Sequence, residues 1–224
     1  KTKTSKSYSN IGSCYHFLNQ YNDAIKWYDL AVEIFDELGD SENLMFSYSN
    51  LGRINLEKGN FQEAFHNFEN GLVIADELGN LYQKSKIFND FGRVKEHLAE
   101  YEEALSYYKK ALQIADQLGD MMTIGSIQNN MGLIFYHLGN YEEALNCFKI
   151  AAEMDHKLRH WPKKAVSLTN IATLYKDLGK YSEAIQTYEE ALKIQEKSGL
   201  IREKATILNN LSTLYIEQGK QENF

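Results

Sequence analysis

The sequence predicts an all-α fold, an α-solenoid of antiparallel helix hairpins with about eleven helices. Three observations carry this. A pattern of residue types returns every 40 positions along all 224 residues without an insertion. Within each forty, apolar residues recur at the three-and-four spacing of a helix, in two separate runs. A single Pro stands in the whole chain, and Gly falls mostly in the breaks between runs or in one recurring column inside them.

The columns are explicit. Asn10, Asn50, Asp90, Asn130, Asn170 and Asn210 share one position. Two residues later come Gly12, Gly52, Gly92, Gly132, Ala172 and Ser212. The second run carries Ala24, Ala64, Ala104, Ala144 and Ala184, then the aromatics Tyr28, Phe68, Tyr108, Phe148 and Tyr188, then Ala31, Gly71, Ala111, Ala151 and Ala191. Small residues in these columns let two helices approach closely, and the aromatics fill the space beyond. One such hairpin cannot bury its apolar face alone, so the units must stack.

Five hairpins are expected at residues 4–40, 41–80, 81–120, 121–160 and 161–200, with 201–224 holding the first helix of a truncated sixth unit or a cap. Breaks inside a unit, such as Leu138-Gly139-Asn140, and between units, such as Leu118-Gly119-Asp120, suit a left-handed Gly closing one helix and an Asp or Asn capping the next. The fourth junction departs from this. It reads Lys157-Leu158-Arg159-His160-Trp161-Pro162, with Pro162 opening a helix. Trp161 is read there as a hydrophobic staple, or alternatively as the tip of a basic secondary contact site. In the last helix Ile207, Leu208, Leu211 and Leu214 are apolar, as in an internal repeat, so the array is expected to continue.

Composition narrows the function classes. Charged residues are 25% and apolar residues 43%, which excludes a disordered chain. No run of about 18 uncharged apolar residues exists, so no membrane span is expected. The net charge of −7 argues against non-specific nucleic-acid binding. The polar start KTKTSKSYSN has no secretory character, and a cytoplasmic protein is expected. Cys14 and Cys147 form no metal or disulfide framework, and both are expected to pack inside or nearly so. No nucleophile elbow, phosphate loop or metalloprotease motif occurs, so neither catalysis, a cofactor nor a metal is expected.

This order of small, aromatic and Ala columns resembles the tetratricopeptide repeat. Tyr48, Leu51, Gly52, Ala64, Phe68 and Gly71 carry the resemblance in the second unit; Leu168, Ile171, Ala172, Tyr175, Ala184, Tyr188 and Ala191 carry it in the fifth. The usual unit is about 34 residues. This one is longer and lacks the Pro that usually ends the second helix, as in kinesin light chain, Pins-type adaptors and Rap-type peptide receptors. HEAT repeats share the length but not the Gly/Ala code. The resemblance implies a right-handed superhelix whose first helices line a concave groove, and a protein or peptide partner.

On that implication the Asn10 column faces the groove, flanked by Asn89 and Asn129, with Arg53 and Arg93 three residues on and Lys86 nearby. Asn is a mediocre helix former, so its recurrence in mid-helix calls for a reason. A side-chain amide both donates and accepts, so a row of them can hold an extended peptide by its backbone. The alternative is that each Asn pins one repeat to the next. Arg53, Lys86 and Arg93 would favour an acidic ligand residue, or else pair internally, as Arg93 with Asp90. Ser9, Ser13 and Asp90 stand where a full two-carboxylate clamp would need other groups. His97 and His137 mark the groove's far edge, as lining residues rather than metal ligands. Two roles compete: an interaction scaffold, and a receptor domain that couples a short signalling peptide to an effector. Weak self-association through the open last repeat is a third possibility.

Overall fold

The computed structural model describes residues 2–198 and 201–221, with side chains from 6–196 and 204–216. Eleven helices and no strand occur among the described residues: α1 (Thr2–Phe17), α2 (Tyr21–Leu38), α3 (Ser41–Lys58), α4 (Phe61–Glu77), α5 (Leu81–His97), α6 (Tyr101–Leu118), α7 (Met121–His137), α8 (Tyr141–Lys157), α9 (Trp161–Asp177), α10 (Tyr181–Ser198) and α11 (Ile201–Gln221). They form two compact units, residues 1–118 and 119–224. In the first, α1, α3 and α5 each pack on the helix that follows, and α2 and α4 pack on the next hairpin. In the second, α7–α8 and α9–α10 are the hairpins, with α8 against α9 and α10 against α11. The all-α hairpin stacking expected from the columns is what is found.

Each hairpin closes on a notch and a ring. A Cβ added at Gly52 would lie 2.4 Å from the Phe68 ring, and one at Gly92 2.4 Å from Tyr108. Gly12 meets Tyr28 and Gly132 meets Phe148 in the same way. Phe68, Tyr108 and Tyr188 are fully buried. Where the ring is Tyr, its hydroxyl finds a polar partner on the first helix, as a buried phenol requires. Tyr108 donates to Glu96 at 2.7 Å, and Tyr188 pairs with Thr173 at 2.7 Å.

The breaks obey the cap chemistry. Asp40, Asn80 and Asp120 accept the backbone N–H of Asn43, Gln83 and Thr123 at 3.3, 3.0 and 3.2 Å. Left-handed backbone ends the preceding helices, as at Gly39 with φ 63°. Asn19, Ala99 and Arg159 adopt the same conformation without being Gly. At the irregular junction Pro162 lies in the first turn of α9. Trp161 turns its ring edge to His156 of the preceding helix, centroids 5.5 Å apart, and remains 41% exposed.

One expectation is corrected. Cys14 is exposed rather than packed in the core. Its column mates Ile54, Val94, Leu174 and Leu214 are all buried. Those residues sit under the second helix of the preceding hairpin, as Ile54 does with Ala24 and Tyr28. No described helix precedes α1, so the same position there faces solvent. Cys147 is buried, as expected. In α11, Ile207, Leu211 and Leu214 join the core, whereas Leu208 is exposed together with Tyr215 and Ile216.

Candidate functional site

The predicted groove residues fall on the first helices of both units. In the first unit, Asn10 on α1 is exposed, Asn50 and Arg53 on α3 are half-buried, and Lys86, Asn89 and Arg93 on α5 are half-buried. In the second, Asn129 and Asn130 on α7, Asn170 on α9 and Asn210 on α11 are half-buried. Repetition explains this placement: a 40-residue period puts each member at the same height and angle on its own helix.

Neighbouring first helices are tied by side chains at regular offsets. The Asn170 amide donates to Asn129 Oδ1 at 2.9 Å. His16 pairs with Glu57 at 2.9 Å, and the Tyr136 hydroxyl donates to Asp177. All three joins span 41 residues. Arg53 to Asp90 and Lys163 to Ser126 span 37, and Gln83 to Ser49 spans 34. Offsets of 34, 37 and 41 differ by three and four, so within each unit the joins fall on one face of the first helices. Part of the predicted ladder therefore also pins repeats together, Asn170 with Asn129 being the direct instance. Asn50 approaches the Tyr28 hydroxyl, and Asn210 that of Tyr188, each tempering the rise that burial gives the phenol pKa.

Arg53 and Arg93 of the predicted basic cluster meet at Asp90 and are partly neutralised by it. Arg53 Nε donates to Asp90 Oδ2 at 2.8 Å, and Arg93 Nη1 to Asp90 Oδ1 at 3.3 Å. The Asp90 side chain is 4% exposed, while each Arg keeps about a third of its side-chain surface. Two guanidinium charges share one carboxylate, leaving a surplus of one. Lys86 lies over the Tyr82 ring, 4.1 Å from its centroid.

His97 and His137 are both exposed. His97 stacks on Phe61 at 5.6 Å, and His137 lies edge-on to Tyr136 at 5.7 Å. No group of three metal-ligating side chains occurs among the described residues, and no described helix is long and apolar enough to cross a membrane.

Two clefts open on the second unit. The larger, about 230 Å³, lies between α7, α8 and α9 and is lined by Ser126, Asn129, Asn130, Asp155 and Lys163 among others. The smaller, about 190 Å³, is lined by Val166, Thr169, Asn170, Gln195 and Thr206. Asp155 and Gln195, both buried, are lining residues that the motif reasoning missed. Stepping in forties would have found them, because Phe35, Ala75 and Ala115 hold the same column.

Solved structures share this architecture. BtubC (BKLC) from P. vanneervenii aligns with a TM-score of 0.75 at 21% identity, over 87% of this chain and 80% of its own. A Rap protein complexed with competence and sporulation factor aligns at 0.73 and 18% identity, over 93% of this chain and 64% of its own. A protein of Podosopora anserina, described as a kinesin light chain with nearly identical TPR-like repeats, aligns at 0.67 and 19%, over 87% and 95%. At these identities the likeness is one of fold, a helical solenoid. No curated protein matches the chain. The sequence profile of the Tetratricopeptide repeat family matches residues 3–77, 47–117 and 123–197. With most of its length so matched, this chain belongs to the tetratricopeptide repeat family.

Proposed function

We propose that the protein is an interaction scaffold that binds an extended peptide segment of a partner along its first-helix faces. The observation that carries this reading is the lining of the two second-unit clefts by Asn129, Asn130 and Asn170, side-chain amides beside open space on consecutive first helices. Amides of that kind serve both the N–H and the C=O of a peptide backbone, whatever its sequence. In the first unit the same column offers Asn10, Asn50 and Asn89, and Asn210 continues it in the second. The surplus positive charge around Arg53 and Arg93, with Lys86 beside it, favours an acidic residue in the ligand. His97 and His137 are exposed aromatic edges for such a segment.

The test is a peptide-display selection against the protein, repeated on an Asn50→Ala, Asn130→Ala, Asn170→Ala variant. Enriched sequences should lose binding on the variant while its helicity stays close to the parent and its stability falls only by about the 0.5–1.5 kcal/mol of the lost Asn170–Asn129 bond. Equal binding by the variant would remove the Asn ladder from the site. An enriched pool without Asp or Glu would remove the acidic preference.

A second reading is favoured by the Rap neighbour, whose structure holds competence and sporulation factor. On that reading the protein senses a short free signalling peptide and couples it to an effector. A free peptide that binds as tightly as the same segment within a folded partner supports the receptor role; a requirement for the folded partner supports the scaffold. Self-association through the exposed Leu208, Tyr215 and Ile216 of α11 predicts a mass that rises with concentration in light scattering.

A further inference from the structure

The larger second-unit cleft contains a buried carboxyl group in a column that is apolar in three of the other four repeats. Asp155 lies on α8 in the column of the core residues Phe35, Ala75 and Ala115 and of the buried Gln195, and it is 3% exposed. A carboxylate taken from water at such a place needs close compensation. The surroundings supply little. Among the described residues, the basic side chain within 4 Å of it is His160, whose Nδ1 stands 3.7 Å from Asp155 Oδ1, too far for a hydrogen bond. That Nδ1 is itself buried without a hydrogen-bond partner among the described residues. Lys163, the other basic residue facing the carboxylate, gives its Nζ to Ser126 Oγ at 3.0 Å and attracts Asp155 only at longer range. Burial accordingly pushes the Asp155 carboxyl above its usual range, with Lys163 and His160 only opposing the rise.

The space in front of this carboxylate is also built. Residue 125 on α7 is Gly, in a column that is otherwise small at Ser85 and Ala165 and holds the fully buried Met45 on α3. A Cβ at Gly125 would lie 3.8 Å from Asp155 Oδ1 and 3.3 Å from Met154 Cβ. Gly125 lines the cleft of about 230 Å³ together with Asp155, Ser126, Asn129 and Asn130. A buried carboxyl group and the bare backbone of a glycine thus meet at one spot.

We propose that this cleft takes a cationic side chain, lysine or arginine, of a peptide ligand, with its nitrogen against the Asp155 carboxylate and its remaining N–H groups on the oxygens of Ser126, Asn129 and Asn130. The inference rests on the peptide-binding reading for the ligand's being a peptide. The subsite itself is testable without any peptide. It places a basic ligand residue in the second unit, whereas Arg53 and Arg93 face an acidic one in the first.

The test is disulfide tethering at the cleft's rim. Val166 lines the cleft and is 44% exposed. A Val166→Cys variant in a Cys14→Ser background is equilibrated with cystamine, bis(guanidinoethyl) disulfide and bis(hydroxyethyl) disulfide in a thiol buffer, and the adducts are counted by mass spectrometry. The aminoethyl or guanidinoethyl adduct should exceed the hydroxyethyl adduct by about tenfold, the scale of one charge-assisted hydrogen bond; which of the two dominates assigns lysine or arginine. Asp155→Asn should bring the ratio close to one. Gly125→Met, which copies α3 and fills the space while keeping Asp155, should do the same and serves if Asp155→Asn does not fold. Equal adducts in the parent, or a cation preference that survives both substitutions, overturn the proposal. Tethering that succeeds while peptide selection yields nothing overturns the peptide reading and leaves the cation subsite standing.

Discussion

Arg53 reaches from α3 to α5 and places its Nε 2.8 Å from the carboxylate of Asp90, a residue whose side chain is almost wholly buried. Arg93 holds the other oxygen from one turn along the same helix as Asp90. The two sides of this triad are unequal. Each Arg can return to water when Asp90 is lost, but Asp90 cannot when both Arg are lost. Replacing Arg53 and Arg93 together with Leu should therefore destabilise the protein by about 3–5 kcal/mol, the range for stranding a buried charge. Asp90→Asn should cost about 1–2 kcal/mol. Urea unfolding of the two variants checks the order; an Asp90→Asn cost as large as that of the double Arg variant would contradict it.

Ala99 and Arg159 hold left-handed backbone, φ 58° and 56°, at turns where Gly serves elsewhere. An L side chain in that region costs about 1–2 kcal/mol, and Gly gives back part of the relief through the entropy of the unfolded chain. Ala99→Gly and Arg159→Gly should each stabilise by about 0.5–1 kcal/mol. Thermal melting of the single variants would show this as a rise of a few degrees; a fall in either would mean that the side chain makes contacts worth more than its strain.

Tyr136 donates its hydroxyl to Asp177, and this bond, with burial and the Asp177 charge behind it, raises the phenol pKa to about 12. The free phenol titrates near 10. Between those values the folded protein keeps a proton that the unfolded chain has lost, so the pair's contribution is complete below pH 10 and disappears as pH rises through 12. Tyr136→Phe should be less stable than the parent at pH 8, with the gap closing by pH 12. A gap that does not change with pH would show that the hydroxyl contributes only packing.

The two thiols should differ sharply in reactivity. Cys14 is exposed. Burial pushes the Cys147 thiol up to about 11, with Glu143 adding to the rise. Only the thiolate reacts, so iodoacetamide at pH 8 should modify Cys14 in the folded protein and leave Cys147 intact until denaturant is added. Equal modification of both in the folded state would mean that α8 opens readily.

The fold was legible because each helix is specified six times over or nearly so. Gly52 alone says little; Gly12, Gly52, Gly92 and Gly132, each sixteen residues before an aromatic ring, spell out a hairpin contact. The same reasoning misplaced Cys14, since a column records which way a residue points but not whether a neighbour exists to cover it. For the site, the Asn column was readable as a polar stripe on first helices. Its double use was not, because the bond from Asn170 to Asn129 depends on the offset between stacked helices. Asp155 and Gly125 escaped for a related reason. They stand in two different columns on two different helices, and only the packing of α7 on α8 brings them together.

The notch-and-ring contact has a consequence for how such a chain can change. It lies wholly within one hairpin: Gly52 receives Phe68, and Gly92 receives Tyr108. The bonds between hairpins are chemically diverse, an Arg–Asp pair at one junction and an amide pair or a Tyr–Asp bond at another. Folding specificity and surface chemistry are therefore written on separate sets of positions. A forty-residue module can be duplicated, exchanged or given a new lateral face while its internal lock is inherited intact, so that the recognition surface evolves independently of the architecture that displays it.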